Sequence, residues 1–182
     1  GTGGYASYPM IRAAARQGIP TAIHESNAIP GLTTKLLEDC ADIIMVGFEE
    51  CRRNYRYTEK VLVTGTPVRG DFFRLSKRDA KSRLGMDDGR PLIVSFWGSL
   101  GAEEMNRQMA RFMALEAGKQ PFHHIHGAGT VGSLHMKEYL SAAGVDLAKT
   151  PSLEVREYIQ DMGTVMRAAD LVICRAGAST IS

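Results

Sequence analysis

Short apolar runs alternate with amphipathic stretches along the whole chain, and this alternation constrains the fold more than any other feature of the sequence. The runs are rich in Val and Ile and lack a strict apolar/polar alternation, which is typical of strands covered by helices on both faces. A strand followed by a helix, repeated several times, indicates βα units and a parallel sheet. The sequence therefore predicts an α/β protein.

The positions of these elements follow from the apolar runs and from the helical periodicity between them. Strands are predicted at residues 21–24, 43–47, 61–64, 92–97, 122–126, 153–158 and 171–174. Helices are predicted at residues 8–17, 32–40, 102–117, 134–143 and 162–168.

One segment interrupts the pattern. Residues 70–91 are charged, contain no strand-like run and end in a Gly/Pro turn cluster. They predict a linker with one short helix that begins at Lys77 and stops near Gly85. The expected organisation is the second part of one domain at 1–71, a linker at 72–90 and the first part of another domain at 91–182.

Charge and cysteine content exclude several classes of protein. The 22 basic and 20 acidic residues give a net charge of +2 and are spread evenly, so nucleic acid is not an expected partner. Three widely spaced cysteines with no C-x-x-C pattern favour a reducing compartment. No apolar run approaches the roughly 20 residues that span a bilayer. A soluble protein is expected, which leaves contact with a membrane surface open.

Three glycine-rich loops precede predicted helices. They are "GTGGYASYP" at the start, "WGSLGAEEMN" after the strand at 92–97 and "CRAGASTIS" at the end. Glycines allow a ligand to approach the backbone, and free N–H groups at a helix start favour phosphate. Each loop could also be a tight turn with no ligand, because Gly-x-x-Gly alone is a weak signal.

Four polar residues follow strand ends on the first half of the chain. His24, Glu25 and Asn27 lie where a parallel sheet binds ligands, and His24 with Glu25 could form an acid/base or hydrogen-bonding pair. Arg69 could bind a diphosphate through its forked guanidinium. A structural hydrogen bond for the histidine and plain solvation for the arginine are the alternatives.

The stretch "FHHIHGAG" raises the question of a metal site. His124 and His126 are expected to share one face of a strand. No third His, Cys or carboxylate is near in sequence, so a zinc site is not expected.

Six motifs, taken in order, resemble the MurG family of bacterial transferases. They are "GTGGYASYP", "HESNAIPGLTTK", "TGTPVRGD", "GSLGAEEMN", "YIQDM" and "ADLVICRAGASTIS". The resemblance implies a GT-B fold, with two Rossmann-like domains that are each only partly present. It implies transfer of N-acetylglucosamine from UDP-GlcNAc to undecaprenyl-diphospho-N-acetylmuramoyl-pentapeptide, which converts lipid I to lipid II in peptidoglycan synthesis.

The resemblance also assigns residues, without a cofactor or a metal. It implies acceptor-side contacts at Gly3, Gly4 and Tyr5, and catalytic roles for His24 and Glu25. The donor contacts that it implies are Asn27, Arg69, Ser99, Ile159, Ala178, Ser179, Thr180, Ile181 and Ser182. The backbone of Ile159 is expected to meet uracil.

The family relation further implies a protein on the cytoplasmic face of the bacterial membrane, with lipid I and other cell-wall synthesis proteins as partners. Both ends of the chain look cut, so the 182 residues alone are expected to be an inactive fragment. Two rivals stay open: a UDP-sugar 2-epimerase of GT-B fold and a non-catalytic nucleotide-binding module.

Overall fold

A computed structural model of the chain describes residues 1–98 and 100–181, with only the main chain at residue 179. The chain divides into two compact units. The first comprises Gly1–Pro67 and the last residues from Ala176 onward, and the second comprises Val68–Arg175. Each unit contains one parallel sheet.

The sheet of the first unit has three strands in the order β1-β2-β3. Ala22 is opposite Ile43 across the first pair, and Ile44 is opposite Val61 across the second. Ile23, Leu37 and Ile44 are fully buried in the core of this unit. The elements are α1 (Ser7–Arg16), β1 (Ala22–Glu25), α2 (Leu32–Leu37), β2 (Ile43–Val46) and β3 (Val61–Val63), with 3-10 turns at Glu49–Asn54 and Thr58–Lys60.

The sheet of the second unit has four strands in the order β6-β5-β4-β7. One core, around Trp97, Met113 and Leu140, involves α4 and α5, and another, around Val94 and Val165, involves α3 and α6. The elements are α3 (Lys77–Arg83), β4 (Leu92–Phe96), α4 (Glu103–Ala117), β5 (His123–Gly127), α5 (Gly132–Ala142), β6 (Leu153–Arg156), α6 (Met162–Ala168) and β7 (Leu171–Cys174), with 3-10 turns at Gly70–Phe73 and Leu147–Lys149.

The predicted strands and helices are confirmed to within a few residues. The largest difference is at α2, which ends at Leu37 and not at residue 40. There the Glu38 carboxylate turns inward and accepts hydrogen bonds from the backbone N–H groups of Arg56 and Tyr57. This long-range contact ties the residue after Leu37 to residues 56 and 57, which lie between the two 3-10 turns.

The segment predicted as a linker contains the expected short helix. Ser76 caps α3 by accepting a hydrogen bond from the Asp79 N–H at 3.1 Å. Ala80 is fully buried in the core of the second unit around Val94 and Val165, and Met86 is 7% exposed in that core. Residues 72–90 therefore pack as part of the second unit, while the domain limits 1–71 and 91–182 stay a prediction.

A further short helix, α7 (Ala178–Ile181), follows β7. The Gly177 carbonyl accepts from the N–H groups of Thr180 and Ile181 at 2.9 and 3.2 Å. The structure shows three free cysteines and, among the residues that it describes, no helix long and apolar enough to cross a membrane.

Candidate functional site

The first unit contains an open cavity of about 530 Å³. It lies where β1 ends, between the glycine turn at the start of the chain and α2. Carboxyl ends of parallel strands are the usual place for ligands in α/β proteins. The cavity is lined by Thr2, Gly3, Gly4, Tyr5, Tyr8, Glu25, Ser26, Asn27, Gly31, Leu32, Thr33, Thr34 and Leu36.

The glycine turn needs residues without a side chain. Gly3 and Gly4 have φ angles of 83° and 76°, in the left-handed region that glycine adopts without strain. The Ser7 hydroxyl donates to the carbonyl of Gly3 at 2.6 Å and fixes the turn against the start of α1. Tyr5 follows with its side chain 95% exposed, so its ring is available to a ligand at the mouth of the cavity.

Glu25 organises the loop that forms the opposite wall. Its Oε1 accepts from the N–H and the side-chain amide of Asn27 at 3.0 and 2.9 Å. Its Oε2 accepts from the Gly31 N–H at 2.8 Å and from the Thr34 hydroxyl at 2.7 Å. These four bonds saturate the carboxylate and tie the 26–31 loop to the first turn of α2.

The same contacts fix the charge of Glu25. Burial raises the pKa of the carboxyl, but the hydrogen bonds from Thr34, Gly31 and Asn27 together outweigh it, so the pKa lies below its usual value. A carboxylate with four donors and a lowered pKa is a weak proton acceptor. Its geometry suits positioning of the loop better than proton transfer.

His24 lies on the other face of β1, because successive side chains of a strand alternate. Its Nε2 is 3.0 Å from the Gly65 carbonyl, which can only accept, so Nε2 carries the proton. The ring lines a second cavity of about 440 Å³ with Thr2, Met45 and Gly65. His24 and Glu25 have separate partners on opposite faces, so the acid/base pair predicted from their adjacency is not formed in this structure.

The second glycine turn follows β4. Gly98 and Gly101 have φ angles of 93° and 77°, and the Gly101 N–H donates to the Gly98 carbonyl at 3.1 Å. The Arg175 guanidinium, at the end of β7, donates to the Trp97 carbonyl. Ser99, which the resemblance assigns to the diphosphate, lies outside the described residues, as does Ser182.

Ile159 follows β6 at the same edge of the second sheet. Its side chain is 3% exposed, and its Cδ1 atom would be 3.2 Å from a Cβ placed on Gly127. Among the residues that the structure describes, its backbone groups form no main-chain hydrogen bond. This arrangement is compatible with the uracil contact predicted for its backbone.

The remaining predicted donor residues are placed as follows. Arg69 lies 3.5 Å from the Asp71 carboxylate and over the Phe72 ring, on the exposed surface of the second unit. Ala178, Ser179, Thr180 and Ile181 form α7, as expected for the helix after "CRAGA". Asn27 directs its side-chain amide nitrogen to Glu25, and its backbone carbonyl oxygen accepts from the Cys51 thiol at 3.3 Å.

Sequence reasoning missed a group of buried polar residues beneath the second turn. His124 and His126 do share one face of β5, as predicted, but each contacts the Ser95 hydroxyl at 2.7 Å. Asn106 and Glu116 on α4 complete the group. Two signals of this buried polar group were available in the sequence. One is the serine inside the apolar run "LIVSF", and the other is the pair of polar residues on the buried face of a helix.

Comparisons with known proteins agree with the resemblance. A model of the glycosyltransferase family 28 C-terminal domain matches residues 92–182, and a model of its N-terminal domain matches residues 1–46. The chain is also similar to curated proteins that are named UDP-N-acetylglucosamine--N-acetylmuramyl-(pentapeptide) pyrophosphoryl-undecaprenol N-acetylglucosamine transferase.

Two of these relatives show the extent of the match. The protein of Acetivibrio thermocellus is 36% identical over 182 residues, which is 100% of this chain and 48% of the relative. The protein of Caldanaerobacter subterraneus is 38% identical over 182 residues and is covered to 49%. The chain thus spans about half the length of the curated relatives that it matches.

Solved structures give the same result. The crystal structure of MurG from Acinetobacter baumannii matches with a TM-score of 0.67 and 30% identity, over 100% of this chain and 47% of that one. A putative UDP-N-acetylglucosamine 2-epimerase from Listeria monocytogenes matches with a TM-score of 0.66 but 14% identity, over 97% of this chain and 52% of that one. The second likeness shows the fold alone. The predicted α/β class of GT-B type and the resemblance to the MurG family are confirmed.

Proposed function

Because the chain belongs to glycosyltransferase family 28, we propose that its protein transfers N-acetylglucosamine from UDP-GlcNAc to undecaprenyl-diphospho-N-acetylmuramoyl-pentapeptide. The product is lipid II, the precursor of peptidoglycan. The observation that carries the proposal is the 36–38% identity, across all 182 residues, to relatives named for this reaction. The order of the six motifs along the chain supports it.

The second unit and α7 are the proposed donor side. The turn at 98–101 and the start of α7 would direct N–H groups at the diphosphate, with Ser99 as a hydroxyl donor. The backbone of Ile159 would bind uracil, and Arg69 would balance the charge of the diphosphate. Asn27 and Ser182 complete the donor contacts that the resemblance implies.

The cavity of the first unit is the proposed acceptor side. Gly3 and Gly4 bring backbone groups to its wall, where the diphosphate of lipid I would approach closely. Tyr5 offers an exposed ring and a hydroxyl at the mouth. The protein would work at the cytoplasmic face of the cell membrane, because its acceptor is anchored there.

The chemistry is a single displacement with inversion at the sugar. The 4-hydroxyl oxygen of the muramoyl residue forms a bond to the anomeric carbon, and the bond from that carbon to the UDP oxygen breaks. UDP leaves with the electron pair, and a base takes the hydroxyl proton. Preorganised N–H donors and a guanidinium stabilise the charge that develops on the diphosphate.

The structure favours different roles for the two residues predicted as catalytic. We propose that Glu25 positions the 26–31 loop, because its four hydrogen bonds occupy both of its oxygens. His24 keeps Nδ1 as an acceptor when Nε2 donates to Gly65, so it could take a proton.

The test is a transfer assay with the full-length gene product. The purified protein is incubated with UDP-GlcNAc and a lipid I analogue, and the lipid product is identified by mass spectrometry. Gain of one N-acetylhexosamine by the lipid, with release of UDP, supports the proposal. Interconversion at C2 of the sugar without transfer would favour the epimerase instead, and UDP binding without turnover would favour a binding module.

A further inference from the structure

Five polar side chains form a continuous hydrogen-bonded chain inside the second unit. Glu116, His124, Ser95, His126 and Asn106 are each 4% exposed or less. Polar groups are rarely buried to this degree unless every one of them has a partner, because an unpaired buried group is strongly destabilising. We call this group the buried relay.

The distances within the buried relay are those of good hydrogen bonds. Glu116 Oε2 is 3.1 Å from His124 Nδ1, and His124 Nε2 is 2.7 Å from Ser95 Oγ. Ser95 Oγ is 2.7 Å from His126 Nδ1, and His126 Nε2 is 3.1 Å from Asn106 Oδ1. The last member reaches the main chain, where Asn106 Nδ2 donates to the Ala128 carbonyl at 2.9 Å.

The direction of these bonds follows from their last acceptor. The Ala128 carbonyl can only accept, so the Asn106 amide nitrogen donates to it and the amide oxygen accepts from His126 Nε2. His126 Nδ1 then accepts the Ser95 proton, and Ser95 accepts from His124 Nε2. Each hydrogen bond from His124 Nε2 to the Ala128 carbonyl therefore has a defined donor and acceptor. His126 is neutral, with its proton on Nε2.

The electrostatics of the site agree with this tautomer. Burial, followed by repulsion from His124, lowers the pKa of His126 to about 3. The ring of His126 is therefore neutral at pH 7. The second nitrogen of His124 faces the Glu116 carboxylate, at the end of the relay that is farther from the turn.

Two other interpretations of these residues fail on geometry. Ser95, His124 and Glu116 follow the order of a nucleophilic triad, but Ser95 has no exposed surface and its proton is committed to His126. A metal would need free ring nitrogens, whereas all four nitrogens of the two rings have hydrogen-bond partners. The relay is therefore neither a nucleophile nor a ligand set.

The end of the relay supports the backbone of two turns. A Cβ on Gly129 would lie 2.3 Å from the Gly101 nitrogen, and a Cβ on Gly101 would lie 2.2 Å from the Ala128 oxygen. The turn after β5 and the glycine turn after β4 thus touch backbone to backbone. Asn106 also fills the space beside Gly132, where a Cβ would lie 2.0 Å from its Nδ2.

We infer that the buried relay positions the glycine turn at 98–101 for binding of a nucleoside diphosphate sugar, by holding the Ala128–Gly129 turn against it. Asn106 is the residue through which the relay acts on the backbone, so it is a positioning residue for the donor. This inference rests on the proposed function, which supplies the identity of the donor as UDP-GlcNAc.

The substitution that isolates the last bond is Asn106→Asp. Ionised aspartate keeps the size of the side chain and the acceptor for His126 Nε2, but it has no N–H or O–H to donate to the Ala128 carbonyl. The matched control is Gln108→Glu, which makes the same amide-to-acid change on the exposed side of α4. A second variant, Ser95→Ala, breaks the relay in its middle by removing a single oxygen.

The measurements use the full-length gene product at pH 7, with UDP as the probe for affinity and UDP-GlcNAc for kinetics. We expect Asn106→Asp and Ser95→Ala to weaken UDP binding by about fivefold to twentyfold. The KM for UDP-GlcNAc should rise by a similar factor with kcat within about twofold. Gln108→Glu should bind UDP like the unaltered protein.

A spectroscopic signature tests the relay even if a variant fails to fold. In the unaltered protein, ¹⁵N chemical shifts of the histidine rings should report His126 as a neutral ring with its proton on Nε2. A protonated ring or a proton on Nδ1 would overturn the inference. So would folded Asn106→Asp and Ser95→Ala variants that bind UDP as tightly as the unaltered protein. Failure of the unaltered protein to bind UDP would instead contradict the proposed function itself.

Discussion

The carboxyl edges of the two sheets are held in place by different kinds of polar contact. In the first unit, the single carboxylate of Glu25 accepts four hydrogen bonds at the wall of an open cavity. In the second, the five residues of the buried relay reach the turn from beneath. At the open edge of the first sheet, water can replace a lost hydrogen-bond partner, but it cannot do so in the buried relay. A substitution that removes a hydrogen bond should therefore destabilise the second edge more than the first.

The largest effect is expected where the two turns of the second unit touch. Gly101→Ala places a Cβ 2.2 Å from the Ala128 oxygen at a φ of 77°. The clash and the backbone strain together should destabilise the protein by about 2–4 kcal/mol. Urea unfolding measures the loss.

Gly98→Ala is the matched control for this substitution. Its φ is also positive, at 93°, but among the residues that the structure describes a Cβ there would meet an Arg175 nitrogen alone, at 3.5 Å. The strain alone should cost about 1–2 kcal/mol. Equal losses for the two variants would show that backbone contact between the turns does not matter.

The next effect concerns the edge of the first unit. Glu25→Ala leaves the donors of Asn27, Gly31 and Thr34 without their acceptor, and partial access of water limits the loss to about 2–3 kcal/mol. Hydrogen exchange should speed up for the amides of residues 26–34 and remain unchanged in the second unit. Glu49→Ala removes an exposed carboxylate paired with Arg52 and serves as the control. Unchanged exchange in the loop would contradict the positioning role.

A smaller effect tests how tightly Asn106 fills its site. Gly132→Ala would place a Cβ 2.0 Å from Asn106 Nδ2 and should cost about 1–3 kcal/mol through overpacking. Combined with Asn106→Ala, the same change should cost less than alone, because the clashing amide is gone. A double-mutant cycle that gives strictly additive losses would exclude the contact.

The smallest effect lies at the opposite edge of the second sheet. Asp170 pairs with Lys77 and Lys81 at 2.6 Å and accepts from the Leu92 N–H at 2.8 Å. Burial raises the pKa of its carboxyl, but the bonds from Lys77, Lys81 and Leu92 outweigh this and hold the pKa well below its usual range.

The pH dependence follows from that lowered pKa. The stability that Asp170 contributes is present above about pH 4, where the unfolded carboxyl is ionised, and is lost as pH falls through the folded pKa. Asp170→Asn should lower stability at pH 7 by about 1 kcal/mol, since the site is partly exposed. The difference from the unaltered protein should shrink on acidification below pH 4. If the difference in stability between the variant and the unaltered protein grew below pH 4, the lowered pKa of Asp170 would be contradicted.

The fold was largely predictable because apolar runs and helical periodicity are local signals. β7 at Leu171–Cys174 and α6 at Met162–Ala168 have the bounds predicted from sequence. The early end of α2 was not predictable, because it depends on Glu38 contacting residues 18 and 19 positions later.

The site was predictable only in part, for the same reason. The glycine turns and the strand-end residues stand out in sequence, since each motif is continuous. The buried relay joins Ser95, Asn106 and His126 from three different elements, so no spacing reveals it. Adjacency in sequence does not bring the side chains of His24 and Glu25 together, because neighbouring strand residues point to opposite faces.

The most direct test of the account is to measure the KM values of both substrates in two variants of the full-length gene product. Tyr5→Ala alters the exposed mouth of the cavity in the first unit, and Gly101→Ala alters the turn in the second. The account predicts that Tyr5→Ala raises KM for the lipid I analogue and leaves KM for UDP-GlcNAc within about twofold. Gly101→Ala should raise the KM for UDP-GlcNAc and leave the KM for the lipid I analogue within about twofold. A rise in the KM for UDP-GlcNAc with Tyr5→Ala, without a change for the lipid acceptor, would contradict the assignment of the first unit's cavity to the acceptor.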